Sequence, residues 1–335
     1  MPVLSNDAVK VTPVTCRTDM TLKEIRDALA SRPPKRADYV GGWASTNNNA
    51  SNMGLVNATP PASEPELVPD GDYPEMIRAR YYYWTAMPSA VSTIATTAND
   101  DFRVLHGMDV VITQAGSGRV SILVSSRSSV LIRRRDGAIR SLERLFRERD
   151  DTIRADFSTS ALALDSDDIF LWLAHKVSTQ PQIDHQIRLD VLTGISNTDS
   201  AQRTADLRLG VDFERPNFLT AVAELDTLGP IELSFRNETA AGKSTFKLKL
   251  HLDGGFEIHK SGISYPYFSS SEELMLDASY ELAFDLIPRI NRIYGDDTAW
   301  PERRTQVIMD AMDALQTRYA KQLGDLRARL EAPTP

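Results

Sequence analysis

A single cysteine, Cys16, occurs in the 335 residues. No intramolecular disulfide can form, so stability must come from packing and hydrogen bonding, the usual situation in a reducing compartment. The thiol sits in "VTPVTCRTD", where no histidine or aspartate stands at a spacing that would support a nucleophile. Long apolar runs are also missing: nothing approaches the roughly 18 residues of a membrane span. The first thirty residues lack the basic start and apolar centre of a secretion signal, and the expectation is a cytoplasmic protein. Positive charge is short as well. Thirty-eight Lys and Arg against 46 Asp and Glu, a formal −8, set aside a surface built throughout for phosphate backbones or anionic lipid. No self-similar period of solenoid length is present.

What remains is ordinary globular usage, 41% hydrophobic and 25% charged, in a chain long enough for two packed units with extensions. "TLKEIRDALA" from Thr21 opens with Thr21 and Glu24 at capping-box spacing and Met20 and Ile25 at staple spacing, and Pro33-Pro34 end it. Residues 47–72, rich in Asn, Pro, Ser and Ala, read as a mobile linker or an arm laid across a surface. "MIRARYYYWTAM" fits both a helical face and strand alternation. "MDVVITQAGSGRVSILVSS" is a hairpin around Gly-Ser-Gly, and an amphipathic helix follows Asp136-Gly137.

From residue 151 the expected order is strand (Thr152 to Phe157), helix, strand, strand, helix, strand. That is the split βαβ or ferredoxin-like pattern of an α+β protein. In its strands Ile187, Leu189 and Val191 face inward, as do Leu207, Leu209, Val211 and Phe213. A C-terminal β-hairpin extends the antiparallel sheet, with Leu252 inward and a glycine of the Asp253-Gly254-Gly255 turn in the left-handed position. A helical pair closes the chain: Ser270 and Glu273 cap its first helix, and Pro288 kinks or divides it. The last helix carries Ile308, Met312, Leu315, Tyr319, Leu323, Leu326 and Leu330. These steps average about 3.67 residues, which favours packing on the body or a nearly straight hairpin over a left-handed supercoil. The implied organisation is an N-terminal helix and arm (1–72), an α+β unit (73–150), a ferredoxin-like domain (151–262) and a helical hairpin (263–335).

Gly242-Lys243-Ser244-Thr245 suggests a phosphate-binding loop. That loop needs a glycine five residues earlier, where Asn237 stands, and a helix directly after, where "TFKLKLHL" alternates as a strand. Pairing Phe235 with Phe246 instead aligns Leu233 with Leu248, Ile231 with Leu250 and Glu232 with Lys249, leaving 237–244 as a hairpin loop with Lys243 at its tip.

"ALALDSDDIF", with Asp165 and Asp167 after an apolar run, resembles the metal-binding strand of GGDEF-type nucleotidyl cyclases and palm polymerases. The resemblance covers about ten residues and implies phosphoryl transfer through Mg²⁺ held by Asp165 and Asp167. The next hairpin departs from that pattern, since "TGISNTDSAQR" has only Asp199 as an acid. Asp167 and Asp168 equally suit the first turn of a helix capped by Ser166.

Carboxylates Asp190, Asp206, Asp212 and Glu214 alternate with Arg188 and Arg208, a pattern open to a metal but simpler as a solvated face. The five histidines show no ligand cluster. Between Arg127 and Arg154 nine arginines face five acids. Any nucleic-acid contact would use Arg133, Arg134, Arg135, Arg140 and Arg144, because the exposed positions Asp206, Arg208, Gly210 and Asp212 offer no base-stacking aromatic.

No complete catalytic constellation emerges, and no resident cofactor or metal is expected outside the Asp165 reading. The leading expectation is a non-enzymatic subunit, sensor or adaptor that meets a protein partner or its own copy through the C-terminal helices. The alternatives are a metal-dependent phosphoryl-transfer enzyme and a nucleic-acid binder.

Overall fold

The computed structural model describes residues 7–46, 53–86, 102–116, 118–126, 132, 137–198, 204–208, 215–240, 242–267 and 270–331. The protein is α+β, with antiparallel strand pairing throughout the two compact units into which it divides. The first unit takes Met1–Ala163, Asp253–Ile263 and Tyr267–Pro288, and the second takes Leu164–Leu252, Ser264–Pro266 and Arg289–Pro335.

In the first unit, strands β1 (Ala8–Arg17), β2 (Gly42–Ala44), β3 (Glu66–Val68), β4 (Met76–Ala86), β5 (Arg103–Gln114), β6 (Arg119–Ser126) and β11 (Phe256–His259) run in the order β2-β4-β5-β6-β1-β11, with β3 also on β4. Helix α1 (Leu22–Ala30) begins with the full Thr21/Glu24 capping box, and Met20 and Ile25 are both buried beside it. The β5–β6 hairpin forms as expected, closed by the Ala115 N–H donating to Arg119 O at 2.9 Å. Strand β4 resolves the ambiguous aromatic segment. Ile77, Ala79, Tyr81 and Tyr83 enter the main core with α1 and helix α2 (Ala138–Arg147), while Tyr82 and Trp84 join Ala44, Met53 and Leu105 in a second cluster. A strand buried on both faces has no polar phase, so neither periodicity wins in its sequence.

The 53–72 stretch is an arm laid along this sheet: β3 pairs with β4, and the Gly54 N–H donates to Leu105 O at 2.8 Å. Thr152 to Phe157 does not form the expected strand. Only Asp156 makes a bridge, exchanging backbone bonds of 2.8 and 2.9 Å with Thr15.

The second unit contains α3 (Asp168–Thr179), β7 (Ile187–Thr198), β8 (Thr204–Arg208), α4 (Pro216–Ala223), β9 (Thr227–Thr239) and β10 (Gly242–Leu250). Its strand order is β10-β9-β7-β8. A ferredoxin-like order would interpose a strand from 152–157, and here β9 lies directly on β7. The β9–β10 register is the expected one, Phe235 opposite Phe246 and Ile231 opposite Leu250. The hairpin is tighter than expected, however. Pairing runs on to Thr239 and Gly242, so Lys243 is a strand residue 3.5 Å from Glu238 rather than a loop tip. Longer pairing satisfies more backbone groups than an eight-residue loop could.

Strand β7 corrects a second expectation. Ile187 and Leu189 face inward, but Val191 is exposed and Leu192 and Ile195 are buried instead. A register shift between Leu189 and Val191 changes the strand's phase, with Asp190 as the extra residue, its carboxylate held by Arg236. Leu207 lies on β8, and Leu209, Val211 and Phe213 fall outside the described residues. In the first unit Gly254 has the left-handed φ of +77° that the turn before β11 was expected to need. In the second, Leu252 is exposed, not inward.

Helix α5 (Ser271–Glu281) starts with the Ser270/Glu273 capping box, a π-helical turn follows at Leu282–Leu286, and α6 (Ile287–Asp296) continues. The wider turn lies where Pro288, without an N–H, leaves an i−4 carbonyl unclaimed. Helix α7 (Trp300–Glu331) packs on α4 and α3, not as a hairpin along α6. Among the described residues no helix is long and apolar enough to cross a membrane.

Candidate functional site

Asp165 is exposed; its backbone N–H donates to Asn291 Oδ1 at 3.1 Å. Asp167 is the N-cap of α3, and the Ser166 hydroxyl accepts from the Asp168 N–H at 3.2 Å, so the cap falls one residue later than expected. The Asp168 carboxylate receives Arg304 Nε at 2.8 Å. Asp190 is bound by Arg236, and the side chains of Asp206, Asp212 and Glu214 lie outside the described residues. Among the described residues no group of three His, Cys, Asp or Glu side chains could hold a metal ion.

The arginine patch is partly engaged within the fold where it can be followed. Arg133, Arg134 and Arg135 lie outside the described residues. On α2, Glu143 is buried and gathers Arg140, Arg147 and the Ala155 N–H around its carboxylate. Arg144 donates to the Arg140 carbonyl at 3.2 Å, and Arg147 to that of Ile153 at 2.8 Å. These bonds to a buried acid and to backbone give the arginines a role in holding α2, while Arg140 remains half exposed. The sequence hinted at this through the three- and four-residue spacings of Arg140, Glu143 and Arg147.

Cys16 is buried in the main core. Burial, reinforced by the charges of Glu143 and Asp156, pushes its thiol up to about 12. The reactive thiolate is therefore scarce at pH 8. Iodoacetamide should leave native protein unlabelled over hours and modify the chain within minutes in denaturant. Stoichiometric native labelling would refute the burial.

The surface that stands out is the far part of α7. Its first turns are anchored. Trp300 is buried with the His175 ring 5.8 Å away, Trp172 donates to Asp297 at 2.9 Å, and Lys176 reaches the same carboxylate at 3.1 Å. Burial opposes the charge on Asp297, yet the Trp172 and Lys176 contacts prevail and hold its carboxyl below the usual range. Burial, then Arg303 and Lys176, lower the His175 pKa below that of a free imidazole and so favour the neutral ring. Ala311 is still buried, but beyond it the apolar stripe meets water: Met312 is 49% exposed, Tyr319 54%, Leu323 49%, Leu326 53% and Leu330 77%. Sequence periodicity found these residues but not their exposure, because period reports a shared face and not what covers it. No protein-family model and no curated protein matches the chain.

Proposed function

We propose that this protein is a cytoplasmic, non-enzymatic subunit or adaptor of a multi-protein assembly and that the outer face of α7 is its docking element. The observation that carries this reading is the exposed stripe from Met312 to Leu330. Contiguous apolar surface of several hundred Å² is rare on a chain that works alone and marks a partner's seat. Covering it returns about 25 cal/mol per Å². Charged side chains on the other faces keep the helix soluble until it is met.

The test is a comparison. Leu323→Lys with Leu326→Lys alters only exposed positions, so thermal unfolding should be unchanged while partners co-purifying from the native host with the unaltered chain are lost. Identical partner sets for both proteins would overturn the reading. So would magnesium-dependent turnover of nucleotides by the purified chain, abolished by Asp165→Ala.

A further inference from the structure

The spacing of the stripe on α7 is palindromic. From Ile308 through Met312, Leu315, Tyr319, Leu323 and Leu326 to Leu330, the steps are four, three, four, four, three, four. Reversed about Tyr319, the pattern reproduces itself: Ile308 falls at the level of Leu330, Met312 of Leu326, Leu315 of Leu323, and Tyr319 of itself. We infer that the occupant of this face is a second copy of the chain, its α7 antiparallel to the first, on a two-fold axis through Tyr319. The inference rests on the reading of α7 as a docking element and names what docks. A two-fold interface must be self-complementary, residue i meeting j and j meeting i, and the spacing of this stripe meets that condition.

Three further observations point the same way. At about 100° per residue the seven side chains stay within an arc of about 80° over about 33 Å, so the seam stays in line without supercoiling. An arc that narrow is a two-helix seam; a helix buried in a core or lying in a lipid interface presents a broader apolar face.

Charge then selects the direction. Met309 to Thr317 carries Asp310 and Asp313 with no base, a net of −2, whereas Arg318 to Leu330 carries Arg318, Lys321, Arg327 and Arg329 against Asp325, a net of +3. An antiparallel copy lays the acidic half along the basic half, and a parallel one lays basic on basic.

The third observation lies at the end of the seam. Ile308 is half-buried and lines a small cleft with Val222, Leu228 and Leu225. Leu225 follows α4 and is 61% exposed with a φ of +58°. The level of Ile308 is where the partner copy's C-terminal turn arrives, so its last leucine gains an apolar seat. The five exposed stripe residues, Leu225 and the flanking stems bury on the order of 600 Å² per copy, roughly 1,200 Å² in all, the lower bound for a specific interface. The expected dimer is therefore micromolar in affinity rather than permanent.

Light scattering across a dilution series should give twice the 37.3 kDa of one chain at tens of micromolar, falling towards one chain on dilution. Leu323→Lys with Leu326→Lys should weaken association at least about a hundredfold. Direction is read by cross-linking with a short bismaleimide. Tyr319→Cys alone should link, Met312→Cys alone and Leu326→Cys alone should not, and a mixture of the last two should. Cys16, buried, stays silent in each case. Linking by Met312→Cys alone would establish a parallel pair and overturn the geometry. A chain that stays monomeric at every concentration overturns the inference, whether its α7 then adsorbs to anionic vesicles or holds a different protein. If it holds a different protein that the double lysine variant releases, docking through α7 survives; if the variant keeps the same partners, both readings fall.

Discussion

Replacing Asp109 by alanine should destabilise the first unit by about 3–5 kcal/mol, the cost of leaving a charge buried without its counterion. Asp109 and Arg80 are directly opposite on β5 and β4, 4% and 0% exposed, with Arg80 Nε donating to Asp109 Oδ1 at 2.6 Å. Arg80 stands in sequence between faces that are both core: Ala79 and Tyr81 belong to the main cluster, Tyr82 to the second. Even the room for its stem is arranged, since a Cβ on Gly107 would lie 3.1 Å from Arg80 Cδ and 2.5 Å from Met53 Sδ. The double change Arg80→Met with Asp109→Leu removes both charges and keeps most of the volume, so it should recover most of the loss. Urea unfolding followed by tryptophan fluorescence checks both. A double variant no better than Asp109→Ala would show that packing, not the pair, dominates at this position.

Gly254→Ala should be comparably severe, and a matched control says why. Gly254 and Gly116 have nearly equal left-handed φ, +77° and +80°. The conformational cost of adding a methyl is therefore the same at both, about 1–2 kcal/mol. Their surroundings differ: a Cβ at Gly116 meets nothing within 4 Å, whereas at Gly254 it would stand 2.0 Å from the carbonyl oxygen of Leu162. Backbone cannot swing aside as a side chain can, so the turn entering β11 must move and unpair Phe256 from Val11. Gly254→Ala should cost at least about 2 kcal/mol more than Gly116→Ala. Equal urea midpoints for the two variants would mean that the 162–163 segment yields freely.

Where one face of an element is buried and the other wet, the sequence could be read to the residue. The Phe235/Phe246 register is such a case, because a one-residue slip of β10 would turn Phe246, Leu248 and Leu250 to solvent. The same logic failed on β4, where both phases are buried, and on β7, where the extra Asp190 takes its meaning from Arg236, 46 positions away. The expected strand at 152–157 alternates acceptably yet lacks a partner beyond Asp156, and pairing is a property of two segments. The candidate site was half legible. Period and palindrome belong to the helix itself, but the exposure beyond Ala311 depends on where α3 and α4 stop. For a related reason the sequence did not show that Glu143, inside the arginine patch, is buried, since its surroundings include the Ala155 N–H that donates to it.

The arm at residues 53–72 has a consequence for solubility. Strand β4 is 11 residues long, and its side away from β5 is divided between two three-residue strands, β2 on Gly42–Ala44 and β3 on Glu66–Val68. A long, aromatic-rich strand with free N–H and C=O groups is a template on which other chains add strands. Here residues 76–78 and 80–82 are covered by two pieces too short to serve as templates in turn. One of those two pieces, β3, comes from the proline-rich 53–72 arm, which thereby shields residues 76–78 from strand addition by another molecule.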